Sequence, residues 1–107
     1  MDYVDYAELF PRRLTELRIN KGVSARDMSL SLGQSESYIN KIENRHALPS
    51  LQGFFYICEY LGITPSEFFN TNVSSPTKAR EIAENINKLT PIQAEHIILI
   101  INDMTSK

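Results

Sequence analysis

Apolar residues recur along the chain at spacings of three and four positions, and no stretch alternates between apolar and polar residues for long enough to predict a strand. A spacing of three and four places apolar side chains on one face of a helix. The pattern therefore predicts an all-α fold of seven helices, five of them between residues 10 and 70. The inward-facing positions of these five helices are Phe10, Leu14, Leu17, Met28, Leu32, Ile39, Ile42, Leu51, Phe54, Ile57, Cys58, Leu61, Phe68 and Phe69.

Residues with strong backbone preferences mark the first three helices. Proline at the first helical position loses no hydrogen bond, so Pro11 predicts the start of helix 1, and Gly22 suits its left-handed end. Ser24 is suited to cap helix 2, which ends at Gly33. Ser35 is then expected to cap helix 3, which spans residues 36–44.

The same signals delimit the remaining helices. Ser50 is expected to cap helix 4, and Gly62 is expected to end it. The pair Thr64–Pro65 combines an N-cap residue with a first-turn proline, which predicts the start of a short helix 5. The pairs Ser75–Pro76 and Thr90–Pro91 predict the starts of helices 6 and 7 in the same way.

The segment 71–75 is small and polar, a composition typical of a surface connection. A domain boundary is therefore expected there. The predicted organisation is an N-terminal arm at residues 1–9, a five-helix domain at 10–70, a linker at 71–75 and a C-terminal helical hairpin at 76–107.

The last helix carries more apolar surface than one face of a hairpin can bury, because Ile97–Ile101 is a continuous aliphatic run. Either helices 4 and 5 of the same chain or the same hairpin of a second chain must cover it. The second alternative, a homodimer, is favoured. The expected dimerisation residues are Ile97, Ile98, Ile100, Ile101 and Met104.

Length and composition narrow the functional classes. The chain has 107 residues, of which 42% are hydrophobic, as expected for one soluble domain. No apolar run approaches the roughly 20 residues that a membrane-spanning helix needs. The first residues are acidic and lack the basic and apolar segments of a secretory signal, so a cytoplasmic protein is expected.

Candidate chemistry for catalysis or metal binding is sparse. Cys58 is the single cysteine and stands among apolar residues, which favours a small buried hydrophobic side chain over a redox role. His46 and His96 lie too far apart in sequence to show metal-ligand spacing. There is no glycine-rich phosphate loop, nucleophile elbow or carboxylate pair with suitable spacing. We therefore expect no enzymatic activity, no metal and no cofactor.

The two short helices on either side of Gly33 have the arrangement of a helix-turn-helix. The major groove of DNA, about 12 Å wide, admits one helix, so helix 3 can present its leading side chains to the bases while helix 2 crosses the backbone. The first N–H groups of helix 2, with the Ser24 hydroxyl, are suited to hold a phosphate. This geometry favours double-stranded DNA as the partner.

Several segments between residues 10 and 69 also carry a family resemblance. They are Arg13–Arg18, Gly22–Ser24, Leu32–Ser35, Tyr38–Asn44, Pro49–Leu51 and Leu61–Thr64. On these residues the chain strongly resembles the Xre-like helix-turn-helix family, with its phage-repressor and Cro-type members. The resemblance implies a five-helix, lambda-repressor-like DNA-binding domain, usually dimeric, in a transcriptional regulator, and it favours a repressor. It also implies an internal ion pair between Arg18 and Glu43.

By that resemblance, the residues that read bases lie early in helix 3. Lys41 suits the acceptors of guanine, Asn40 suits adenine, and Glu36 can accept from cytosine N4. The expected base contacts are Glu36, Ser37, Asn40 and Lys41. The expected phosphate contacts are Arg12, Ser24, Arg26, Tyr38, Arg45 and His46. The alternative is that these are solvated helix residues without a partner.

Three positions depart from the family pattern. Ala25 stands where a glutamine commonly begins helix 2, so the hydrogen bond of that glutamine is missing. Arg26 is expected to make this hydrogen bond instead. After helix 3 the family commonly has a glycine, so a left-handed conformation is expected either at Arg45 or at Asn44. Leu30 occupies a normally charged position, and its exposure would indicate packing against a partner protein or the N-terminal arm.

The charge distribution leaves two hypotheses. The net charge is −2, yet residues 10–50 carry seven Lys and Arg against four Asp and Glu. The leading hypothesis is a sequence-specific, dimeric DNA-binding regulator. The alternative is an antitoxin-like or anti-repressor interaction module that keeps the fold but binds a protein through Leu30, Tyr38 and the terminal helices. A steep dependence of affinity on salt is expected only for the first.

Overall fold

Every regular element between residues 5 and 106, the part of the chain that the computed structural model describes, is a helix. The predicted all-α fold is therefore confirmed. None of these helices has the length and hydropathy that a membrane span needs. The helices are α1 (Tyr6–Lys21), α2 (Ala25–Ser31), α3 (Tyr38–Glu43), α4 (Leu51–Leu61), α5 (Pro65–Phe69), α6 (Pro76–Ile86) and α7 (Pro91–Thr105).

Helix α1 begins earlier than the sequence predicts. It starts at Tyr6, and Pro11 lies inside it, so the expected start at Pro11 is wrong. Asp5 accounts for the earlier start, because its carboxylate accepts a hydrogen bond of 3.0 Å from the Ala7 N–H and caps the helix. The end of the predicted arm at residues 1–9 is thus helical, and its first four residues lie outside the described part of the chain.

Four predicted N-caps are confirmed. In each case the side-chain hydroxyl accepts a hydrogen bond from the N–H three residues further on, at 3.0 to 3.2 Å. The caps are Ser24, Ser50, Thr64 and Thr90. At the other end, Gly22 and Gly62 adopt the left-handed conformation that ends α1 and α4.

The core of the first compact unit, which ends at Pro76, lies between α1, α2, α3, α4 and α5. Its aromatic centre is Phe68, whose ring centroid lies 4.8 Å from that of Phe10 and 5.1 Å from that of Phe54. Two predicted core residues lie outside it, since Phe69 is 41% and Leu51 is 68% exposed. The buried apolar side chains are Phe10, Leu14, Leu17, Met28, Ile39, Ile42, Phe54, Ile57, Cys58, Leu61, Ile63 and Phe68.

One charged residue belongs to this core. The Arg13 guanidinium is buried and donates to the Phe68 carbonyl at 2.6 Å, the Glu67 carbonyl at 2.9 Å and the Asn70 carbonyl at 3.0 Å. It also forms an ion pair with Glu16. These carbonyls lie at the end of α5, where a cation satisfies acceptors that the short helix leaves free. Arg13 therefore fixes α5 to α1.

The second compact unit begins at Thr77 and contains most of α6 and all of α7. Its two helices are joined by a turn at residues 87–89. No residue of α7 is buried. The large apolar side chains exposed in this unit are Ile82, Ile86, Ile92, Ile97, Ile98, Leu99, Ile100, Ile101 and Met104.

Candidate nucleic-acid interface

The two helices of the predicted helix-turn-helix are joined by a turn around Gly33. Its φ of 73° is left-handed, and its N–H donates to the Leu30 carbonyl at 3.0 Å. Helix α3 then begins at Tyr38, so the prediction of a helix at residues 36–44 is wrong at its start. Glu36 precedes it in a turn closed by the Tyr38 N–H, which donates to the Ser35 carbonyl at 3.0 Å.

The expected cap of this helix is also wrong. The Ser35 side chain caps nothing, and Ser29 of α2 takes its place. The fully buried Ser29 hydroxyl accepts from the Ile39 N–H at 2.9 Å and donates to the Ala25 carbonyl at 2.7 Å. One N–H in the first turn of α3 is thus satisfied from the neighbouring helix. This hydroxyl fixes the start of α3 on α2.

The other end of α3 is fixed to α1. Arg18 donates through Nε to Glu43 Oε2 at 2.7 Å and through Nη2 to Glu43 Oε1 at 3.0 Å. Its Nη1 donates to the Val23 carbonyl at 2.9 Å. The hydrogen bonds that Arg18 donates to Glu43 raise the pKa of the Arg18 guanidinium above its ordinary value, against the opposing effect of burial. The ion pair implied by the resemblance is confirmed.

Helix α3 separates an apolar face from a polar one. Ile39 and Ile42 are fully buried, whereas Asn40 and Lys41 are exposed. The Asn40 side-chain oxygen accepts from the amide of Asn44 at 2.8 Å, which orients it. The Lys41 side chain forms no ion pair with any residue in 5–106. The structure thus places both side chains on the polar face, with the Lys41 ammonium available to a ligand.

The other two candidate base contacts lie in the turn before α3. Glu36 is exposed, and Ser37 is half-buried at the N-cap position, where its side chain makes no capping hydrogen bond. Tyr38, expected to contact phosphate, is half-buried and packs against the core. Burial raises the pKa of its hydroxyl, which keeps it protonated as a donor.

Tyr38 also explains a glycine inside α4. A Cβ at Gly53 would lie 2.9 Å from the Tyr38 hydroxyl oxygen, closer than side chains tolerate. The Tyr38 ring therefore extends from α3 to the first turn of α4. No sequence signal pointed to this contact, because a glycine inside a helix by itself indicates only low helix propensity.

The cations expected at phosphates lie on the surface. Arg12, Arg26, Arg45 and His46 are all exposed, as is Ser24 at the start of α2. Two of the guanidinium groups already have carboxylate partners. Arg26 Nε lies 3.1 Å from Glu36 Oε2, and Arg45 Nη1 lies 3.1 Å from Glu8 Oε1.

The loop after α3 has the left-handed residue at Arg45. Its φ is 64°, whereas the φ of Asn44 is −94°. Of the two alternatives that the sequence left open, the first is confirmed. A side chain with a Cβ pays a steric penalty in this conformation, so the loop holds Arg45 against its local preference.

Burial and pairing reduce the number of cations in residues 10–50 that are available to a ligand. Arg13 is buried against the end of α5, and Arg18 is paired with Glu43, so neither cation faces a ligand. The basic character of this region therefore rests on exposed residues. These are Arg12, Lys21, Arg26, Lys41 and Arg45.

Two further side chains bear on function. Cys58 is buried, and burial raises the pKa of its thiol to about 11, so it is not a thiolate at neutral pH. Leu30 is 50% exposed on α2. From the sequence, such exposure is interpreted as a sign of packing against a partner protein or the N-terminal arm. Among residues 5–106 no group of three or more His, Cys, Asp or Glu side chains is placed to hold a metal ion.

Comparison with known protein families gives a match. The family described as helix-turn-helix domain matches residues 12–73, which is more than half of the chain and spans α2, the turn and α3. Neither the curated proteins nor the solved structures gave a match.

Proposed function

Because the chain belongs to the helix-turn-helix domain family, we propose that it is a sequence-specific DNA-binding regulator of the Xre-like kind. The observation that carries the proposal is the two-sided character of α3. Ile39 and Ile42 anchor the helix in the core, and the opposite face presents Asn40 and Lys41 to a ligand. A short helix held at both ends and polar on its outer face suits the major groove.

Base recognition falls to the exposed face of α3 and the turn before it. Lys41 donates to guanine O6 or N7, and Asn40 pairs with adenine once its contact with Asn44 opens. Ser37 and Glu36 precede them in the turn before α3. Because α3 is tied to α2 by Ser29 and to α1 by Glu43, these side chains enter the groove in a fixed register.

Phosphate contacts flank the recognition residues. Arg12 and Arg45 provide the charge, with His46 beside them, and Ser24 brings the start of α2 to the backbone. The Tyr38 hydroxyl is a neutral donor that lies beside the first turn of α4. Arg45 exchanges its contact with Glu8 for a phosphate, which costs little because exposed ion pairs are weak.

We also propose that the regulator is a homodimer joined through α7. Ala94, Ile97, Ile101 and Met104 are spaced three and four apart and carry no charge, so the stripe is complementary to its own copy. A dimer places two recognition helices about 34 Å apart on successive turns of a near-palindromic site. A dimer that occupies two successive turns of the major groove excludes other proteins from that DNA, which favours repression.

A second candidate function rests on Leu30. A large apolar side chain half-exposed on α2 is suited to contact a protein rather than a phosphate. In this alternative the chain is an interaction module, with Leu30, Tyr38 and the terminal helices as its surface. Such a contact depends on buried apolar area and is nearly independent of ionic strength.

The salt dependence of DNA affinity separates the two candidates. Two cationic contacts per subunit, Arg12 and Arg45, predict that a dimer loses about 100-fold in affinity for a duplex between 50 and 200 mM salt. Arg12→Ala is expected to make this dependence shallower. Absence of duplex binding at 50 mM salt, or binding that does not change with salt, contradicts the proposal and favours the interaction module.

A further inference from the structure

An exposed ion pair joins α2 to the turn before α3, at the surface assigned to DNA. Arg26 lies in the first turn of α2, Glu36 lies in the turn before α3, and Arg26 Nε is 3.1 Å from Glu36 Oε2. The two side chains are 68% and 66% exposed. An ion pair this exposed contributes little to folding stability, so the fold does not depend on it.

The pair leaves specific hydrogen-bonding groups unoccupied. Among residues 5–106, neither side chain makes another hydrogen bond. Both Nη groups of Arg26 therefore remain as donors, and Oε1 of Glu36 remains as an acceptor. Since one contact joins the two groups, a ligand that spans the pair meets a row made of the Arg26 donors and the Glu36 acceptor.

One kind of base pair is complementary to this row. In the major groove a G·C pair presents two acceptors on guanine, N7 and O6, followed by the cytosine N4 donor. An A·T pair presents adenine N7 as an acceptor, adenine N6 as a donor and thymine O4 as an acceptor. Its N6 donor therefore meets a donor of Arg26, where a G·C pair offers the O6 acceptor. The row also fixes the orientation of the G·C base pair, because guanine must lie on the Arg26 side.

Resting on the proposed function, we propose that Arg26 and Glu36 act together as a reader of one G·C base pair in each half-site. Arg26 donates through its Nη groups to guanine, and Glu36 accepts from cytosine N4. This assignment replaces the phosphate contact expected of Arg26 from the sequence. Pairing with Arg26 also neutralises Glu36, so its carboxylate approaches the phosphates without net repulsion.

The chain contains a matched control for this pair. Arg45 and Glu8 form an exposed ion pair with the same separation, 3.1 Å, but Arg45 lies in the loop after α3 and is assigned to a phosphate. Loss of a phosphate contact weakens binding to all sequences, whereas loss of a base contact weakens binding at one base pair. The two pairs therefore have different signatures.

The experiment uses the full-length chain and an operator selected from random duplexes. Each G·C pair of the operator is changed in turn to A·T, and affinities are measured for the wild type, Arg26→Ala, Glu36→Ala and the double variant. At one position per half-site the wild type is expected to prefer G·C about tenfold or more. Each single variant is expected to lose most of that preference, and the double variant to lose no more than either.

Glu36→Gln and Arg45→Ala complete the test. The glutamine keeps an oxygen acceptor without the charge, so we expect it to retain part of the preference. Arg45→Ala is expected to weaken binding to every duplex and leave all base preferences unchanged. Equal weakening of all duplexes by Arg26→Ala would overturn the reader and leave the proposed function intact. A wild type that selects no operator would overturn both.

Discussion

Arg18 and Glu43 join α1 to the last turn of α3 through two hydrogen bonds, of 2.7 and 3.0 Å. Both side chains are largely buried, and each is occupied by the other. The pair therefore acts on recognition indirectly, by holding the helix that carries Lys41. It also means that a charged residue of the family-like segment Arg13–Arg18 serves the fold rather than the ligand.

Arg18→Met is expected to lower the free energy of unfolding by about 3 kcal/mol, because it leaves the Glu43 carboxylate buried without its partner. Urea denaturation measures this change. The control is Arg26→Ala, which removes an exposed pair and is expected to cost less than about 1 kcal/mol. Similar losses for the two variants would show that the Arg18–Glu43 pair does not hold α3.

The cap of α3 gives a second prediction with its own control. Ser29→Ala is expected to destabilise the chain by about 1–3 kcal/mol, since the Ile39 N–H loses its acceptor in a buried position. Ser35→Ala, which removes the hydroxyl that the sequence pattern favoured as the cap, is expected to change stability by less than about 0.5 kcal/mol. Thermal or urea denaturation of the two variants compares them, and a larger effect at Ser35 would refute the assignment.

The left-handed residue after α3 predicts a difference between two substitutions at the same position. Arg45→Ala and Arg45→Gly both remove the guanidinium, so we expect the same loss of DNA affinity from each. Only glycine relieves the strain of a φ of 64°, so Arg45→Gly is expected to be more stable than Arg45→Ala by about 1 kcal/mol. Equal stabilities would mean that the loop relaxes around alanine.

The proposed dimer predicts opposite outcomes for two neighbouring residues of α7. Ile101 lies on the stripe with Ile97 and Met104, whereas Leu99 lies on the other side of the helix. Ile101→Glu is expected to give a monomer in analytical ultracentrifugation and to weaken operator binding at least about 100-fold. Leu99→Glu is expected to remain a dimer. A dimer that survives Ile101→Glu would contradict the assignment of this stripe.

Local sequence signals located the starts of α2, α4, α5 and α7 correctly, whereas the starts predicted from Pro11 and Ser35 are wrong. Ser24, Ser50, Thr64 and Thr90 cap helices as expected, because an N-cap bonds to an N–H only three residues away. Gly22 likewise ends α1 as expected. The resemblance also pointed to the Arg18–Glu43 pair, which residue spacing alone does not reveal.

Contacts between residues that lie far apart in the sequence could not be predicted from local patterns. Ser29 and Ile39 lie ten residues apart, and Arg13 and the carbonyls of α5 more than fifty. Nothing in the local pattern distinguishes a buried arginine from a solvated one. The start of α1 differs from the prediction for another reason, because Asp5 caps a helix that continues through Pro11.

The most direct measurement is the ratio of affinities for a selected operator and a scrambled duplex of the same composition, for the wild type and for Lys41→Ala. The expected ratio is about a thousand or more for the wild type and about tenfold lower for Lys41→Ala. Lys21→Ala is the control, since the Lys21 ammonium lies 4.9 Å from the Tyr60 ring centroid and has no assigned base contact, so its ratio is expected to match the wild type. Equal losses by Lys41→Ala on both duplexes, or a wild-type ratio near one, would contradict the claim that α3 reads bases.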